Sequence, residues 1–231
     1  MKQELHGNLE ETVMKHIVID LEMNPVDRSN KEIRRRLAEE IIEIGAVKLT
    51  DDFVKEEEFQ CYVKPQHGKL KKHIISLTGI TEDKVENAPP FESAFMSFMD
   101  WVGKEDARIY SWSMSDLKQM RQECILKTPD FDASWLSDHW IDLQKAFDDK
   151  IGISTNLALK HAIGAMDKNF EGTQHTALAD AANTAAILTL MQDDAAFQKT
   201  MQPVIDLLKP KEELSHSIGD LYPELMNFKF D

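Results

Sequence analysis

The chain has 231 residues, 42% of them hydrophobic and 29% charged, with 27 Lys and Arg against 41 Asp and Glu for a formal charge of −14. That length and balance describe one substantial domain of ordinary globular composition, with little left for a second. The two cysteines, Cys61 and Cys124, form neither a disulfide framework nor a metal-ligand spacing, which excludes a small secreted scaffold and fits a reducing compartment. No apolar run reaches membrane-spanning length and Met1–His6 leads into no signal-peptide core, so a cytoplasmic location without membrane contact is expected.

Residues 1–14 are polar and irregular and read as a lead-in to a domain spanning 15–200. The β-branched run Ile17–Met23 predicts a strand with Ile17, Ile19, Leu21 and Met23 on one face and Val18, Asp20 and Glu22 on the other. Residues 24–39 read as a charged loop. Glu40–Leu49 and Phe59–Lys64 are the next strands, and short turn-rich connections make the first three an antiparallel meander. Phe91, Phe95, Phe98, Met99 and Val102 recur at helical spacing. Arg108–Ser111 is a fourth strand running into a helix over 115–126, and His139–Leu143 a fifth. A helix over 157–163 is expected to stop at Gly164, and an alanine-rich helix covers 176–191. Residues 201–231 read as a C-terminal helix and extended tail. Strands in hairpins, then alternating with helices, imply a mixed five-stranded sheet, antiparallel first and parallel after, flanked by helices.

Four acids and one histidine interrupt this pattern. Asp20 and Glu22 share a face about 7 Å apart on a strand whose neighbours are apolar on both sides. A random Asp-x-Glu is usually solvated, but a central strand has no solvated face. Asp116 follows Ser113 as in a Ser-x-x-Asp capping box, yet it also stands where a strand meets a helix N-terminus, the usual ligand position in open α/β sheets. Asp180 interrupts the apolar stretch Ala177–Ala182 and needs a partner for its charge. His175, five positions earlier, would by itself be a surface or capping residue. Carboxylates on buried elements repel one another and lose hydration unless a cation lies between them. Oxygen ligands with one histidine beside them are what two-metal phosphodiester hydrolysis requires.

Other clusters carry less. Lys69, Lys71 and Lys72, and separately Arg34–Arg36, read as solvated charge runs, while Trp101, Trp112, Trp135 and Trp140 read as core or interface aromatics. No Gly-x-Ser-x-Gly elbow and no Gly-rich phosphate loop occur in the sequence.

Asp20-Leu21-Glu22, Asp116, and His175 with Asp180 resemble the three motifs of the DEDDh branch of the DnaQ-like 3′–5′ exonucleases. Thr176 fills the position where the sister branch has Tyr, four before the last Asp. Leu77-Thr78-Gly79-Ile80-Thr81 and the run from His175 to Ala185 are also similar to these enzymes, and Tyr110-Ser111-Trp112-Ser113 looks most like the KapD and ERI-1 type. The resemblance implies a ribonuclease H-like fold and hydrolysis of single-stranded RNA or DNA from its 3′ end to nucleoside 5′-monophosphates. It implies that Asp20, Glu22, Asp116 and Asp180 hold two Mg²⁺ or Mn²⁺ ions, with His175 as general base and Glu22 also reaching the terminal ribose. By family position, Met23 and Leu77 are the expected contacts to the last base or sugar. The acidic balance then points to a short grip on a strand end rather than a long duplex footprint. Two rival expectations are a regulatory protein-binding module on the same fold and a polymerase proofreading partner. Filled catalytic positions weigh against the first and Trp112 against the second.

Overall fold

The apolar run expected near the N-terminus becomes strand β1 (Lys15–Pro25) in the computed structural model, which describes residues 14–103, 106–154, 156–166 and 169–208. Helix α1 (Lys31–Arg36) occupies part of the expected charged loop. It buries no side chain, so its sequence has no apolar stripe by which to find it. Strand β2 (Glu39–Leu49) returns antiparallel to β1, and β3 (Lys55–Tyr62) returns antiparallel to β2. β3 starts four residues before the expected Phe59, because Lys55-Glu56-Glu57-Glu58 hides a strand behind charge. An outermost strand is solvated and tolerates that composition.

Two short helices that the periodicity does not foresee, α2 (Lys72–Thr78) and α3 (Glu82–Glu86), precede α4 (Phe91–Val102). Then come β4 (Ala107–Ser111), α5 (Met114–Lys127), α6 (Ser134–His139), β5 (Trp140–Asp142) and α7 (Leu143–Ile151). The chain continues through α8 (Leu159–Ala165), α9 (Ala177–Met191) and α10 (Asp194–Leu208). Gly164 lies inside α8 instead of ending it, since burial of Ala162 and Ile163 outweighs the ~0.5–1 kcal/mol that glycine costs a helix. α10 runs across residue 200, with Phe197 and Met201 buried on either side of it. Apart from Met14, the expected lead-in lies outside the described residues, as does the expected tail from 209 onward.

β1 pairs in parallel with β4, and β4 with β5, giving the order β3-β2-β1-β4-β5. The mixed sheet is therefore the expected one. Its central strand is buried on both faces, which explains the unbroken apolar run. Ile17, Ile19 and Leu21 pack with Phe91, Phe95, Phe98 and Met120 beneath α4 and α5. On the other face Val18 joins Phe147, Ile163, Ala181, Ile187 and Phe197 beneath α7 to α10. Each fully buried phenylalanine contributes about 1.5–3 kcal/mol of transfer free energy. The β1–β2 register shifts once: Glu22 faces Glu43 but Met23 faces Ile41, leaving Ile42 as a bulge residue. Ile42 turns into a third cluster with Leu70, Ile74, Ile80 and Val85, which anchors α2 and α3. No helix among the described residues is long and apolar enough to cross a membrane.

Candidate active site

Asp20 and Glu22 project from β1 toward α9, and the β1–β2 ladder decides what lies beside them. Asp20 faces Gly45 and Glu22 faces Glu43. A Cβ on Gly45 would come within 2.2 Å of the Ala177 carbonyl carbon and the Leu178 nitrogen, so the first turn of α9 rests on bare strand backbone. Glu43 completes the seat. Its Oε2 accepts the Ala177 N–H at 3.2 Å and its Oε1 accepts from Gln60 Nε2 at 2.6 Å. A carboxylate there satisfies an orphan helix donor and complements the positive end of the helix. The seat fixes Asp180, one turn into α9, above the β1 pair.

Asp116 comes from the β4–α5 junction. Ser113 alone supplies the cap of α5, its Oγ accepting the Ser115 N–H at 3.3 Å. Asp116, only 5% exposed, turns to the cavity, where the Leu21 N–H of β1 bonds its carboxylate. His175 is exposed on the rim in a left-handed conformation (φ 63), which histidine tolerates better than most side chains. Its N–H donates to Asp180 Oδ2 at 3.1 Å. The loop before it is tied to α9 by buried Asn183, whose Oδ1 accepts the Glu171 N–H at 3.1 Å while its Nδ2 donates to the Glu171 carbonyl at 2.9 Å. The opposite wall is held by Trp112, whose Nε1 donates to the Leu157 carbonyl at 2.9 Å.

These elements enclose a cavity of about 440 Å³ lined by Asp20, Glu22, Asp116, His175 and Asp180. Met23, Trp112, Leu159 and Phe170 form its apolar wall, and Lys160 brings a cation to its edge. Ligand-capable atoms of Glu22, His175 and Asp180 lie within 4.8 Å of one another. Of the two expected substrate contacts, Met23 lines the cavity; Leu77 lies on α2, 48% exposed, and is not among the lining residues.

The electrostatics follow from crowding acids in a poorly hydrated place. Burial first, then Asp180, Glu43 and Asp116, push Glu22 up to about 8. Burial and the neighbouring carboxylates hold Asp20 well above the usual range. Asp116 is raised to about 7 by burial, against the opposing pull of backbone N–H groups, and Asp180 to about 6 by burial, against the His175 N–H. Acids in this condition keep protons that a divalent cation would displace. Hard carboxylate oxygens with one imidazole suit Mg²⁺ or Mn²⁺, so the residues present fit such ions.

Glu43 and Asn183 are the site residues that sequence reasoning overlooks. In Ile41-Ile42-Glu43-Ile44-Gly45 the glutamate and glycine share a strand face, a visible signal, but their position opposite Glu22 and Asp20 needs the register.

The family described as Exonuclease (RNase_T) matches residues 17–188. Probable 3′–5′ exonuclease KapD of Bacillus subtilis (strain 168) is 28% identical over 188 residues, covering 81% of this chain and 89% of that protein. The 3′–5′ exoribonuclease 1 of Homo sapiens is 30% identical over 168 residues, covering 67% of this chain and 47% of that protein, so the match spans about half of that relative's length. Among solved structures, the nuclease domain of 3′hExo, a DEDDh family member bound to rAMP, superposes with a TM-score of 0.65 at 27% identity, covering 78% of this chain and 92% of that one. Since the match runs from the acidic strand β1 to the helix that carries Asp180, this chain belongs to the RNase_T exonuclease family.

Proposed function

We propose that the protein is a metal-dependent 3′–5′ exonuclease that hydrolyses the terminal phosphodiester of single-stranded RNA or DNA and releases nucleoside 5′-monophosphates. The observation that carries this reading is the meeting of four proton-retaining carboxylates and an exposed histidine in one cavity. Asp20, Glu22, Asp116 and Asp180 would hold two Mg²⁺ or Mn²⁺ ions. Such ions, when bound, supply a water of lowered pKa and offset charge on the leaving 3′ oxygen. His175 stands on the rim with access to solvent, so a proton it takes from the attacking water passes on to bulk. The hydrogen bond from its N–H to Asp180 keeps base and ligand in step. Glu22 turns its second oxygen toward the terminal ribose, and Met23, with Trp112 and Phe170, packs against the last base. Free thiols at Cys61 and Cys124 suit a cytoplasmic setting.

The test uses single-stranded RNA and DNA labelled at the 5′ end, incubated with Mn²⁺ or with EDTA. Products shortening one nucleotide at a time from the 3′ end, only with Mn²⁺, are expected. Internal cuts, or a ladder that persists in EDTA, would sink the reading.

A further inference from the structure

Residues 24–38 and 64–73 hold nine of the chain's 27 Lys and Arg but only two of its 41 Asp and Glu, whereas elsewhere acids outnumber bases about two to one. Far apart in sequence, the two segments are joined by hydrogen bonds. The Asp27 N–H and Asn30 Nδ2 both donate to the His67 carbonyl, at 2.9 and 3.0 Å. Fully buried Asn24 accepts the Lys71 N–H at 2.9 Å and donates to the Lys69 carbonyl at 3.2 Å. Both acids are already engaged, Asp27 with Lys71 at 3.0 Å and Glu32 with Arg35 at 2.8 Å. Arg28, Arg34 and Arg36 are exposed and have no carboxylate partner among the described residues.

Arg28, Arg34, Lys71 and His73 wall a cleft of about 530 Å³, with Pro25, Val26 and the Lys71-paired Asp27 completing its lining. Pro25 is two residues, or about 7 Å of extended chain, beyond Met23, which lines the acidic cavity. A polyanion drawn to that cavity is repelled by most of this surface, and cations in the cavity would neutralise only its terminal phosphate. The cleft supplies positive charge two residues along β1 from the cavity lining.

We infer that this cleft is the track for the strand's phosphodiester backbone, with Arg28 and Arg34 gripping phosphates on the 5′ side of the terminal nucleotide. The inference rests on the exonuclease reading for what the strand is. The described walls of the cleft carry no Phe, Tyr or Trp to stack on bases, so the grip is electrostatic and blind to sequence.

The test is Arg28→Ala/Arg34→Ala, measured on a single strand of about 12 nucleotides, a length such grooves track. KM is expected to rise about tenfold while kcat holds. The slope of log affinity on log salt between about 50 and 200 mM should fall by about 1.4, at about 0.7 for each lost phosphate contact. Arg28→Lys/Arg34→Lys should restore both, because a phosphate track reads charge. An unchanged KM and salt slope would overturn the inference, and so would poly-glutamate competing as strongly as the strand, which would assign the cleft to an acidic protein. Wild-type protein that degrades no strand in Mn²⁺ defeats the exonuclease reading instead. Fluorescence anisotropy of the same strand in Ca²⁺ then decides the cleft: weaker binding by the alanine variant sustains it, and equal binding overturns it.

Discussion

Burial raises the Asp116 carboxyl to about 7, although backbone N–H groups pull the other way. Asp116→Asn removes a charge the cavity tolerates poorly while keeping the shape. Divalent-dependent cleavage should be lost, and in EDTA near pH 8 the variant should melt higher than the wild type, by about 2–4 °C for each kcal/mol of repulsion relieved. A lower melting temperature would show that the carboxylate holds the fold together instead of straining it. His175→Ala tests a different role. Turnover should fall by about 10²–10⁴-fold with Mn²⁺ binding preserved by calorimetry, as expected for loss of a general base; loss of metal binding would make the imidazole a ligand instead. Asp20, Glu22 and Asp180 are legible because each breaks an apolar run that has no reason to carry charge. Glu43 is not, since nothing in Ile-Ile-Glu-Ile-Gly says that its carboxylate meets the first N–H of a helix 134 positions away.

α9 can bring Asp180 over β1 only because Gly45 leaves room for it. Gly45→Ala forces a methyl into helix backbone, which cannot rotate aside as a side chain would. The variant should lose about 1–3 kcal/mol by urea denaturation, the usual range for overpacking, and should bind Mn²⁺ more weakly. Wild-type stability and affinity would mean that α9 is not seated on the strand. The elements legible from sequence are the five strands and the helices α4, α5, α8 and α9. Those that escape, α1, α2, α3, α6 and α7, are five to nine residues long. Helices so short lie below the length at which propensity sustains them, so tertiary contacts decide their existence. Ile42 illustrates this: its bulge gathers Leu70, Ile74 and Val85 around it, a contact that no local pattern encodes.

For the whole molecule, the raised carboxyls make the fold sensitive to pH. Glu22, Asp116 and Asp180 sit at about 8, 7 and 6 in the folded protein, against about 4 when unfolded. Between those limits the folded state binds more protons than the unfolded one, so stability falls as pH rises from about 4 to 8. His16, lowered by burial, works in the opposite direction, as one group against these three and the likewise raised Asp20, Glu123 and Asp148. Asp27, half-buried, and Asp132 and Asp194, exposed, are lowered and titrate beneath this window. In EDTA the melting temperature should drop steadily from about pH 5 to 8, and Mg²⁺ or Mn²⁺ should flatten the decline by displacing the retained protons. A level profile in EDTA would show that the acids are not crowded together. The outer strands bear on how copies of the protein meet. One rim of the sheet, β3, presents Glu56, Glu57 and Glu58 in succession, and the other, β5, is three residues long. A second copy docking edge to edge would meet a charged margin of Lys15–Glu56, Lys48–Glu57 and Lys55–Glu58 ion pairs on one side and find too few free amides on the other, so the sheet resists templated growth into fibres.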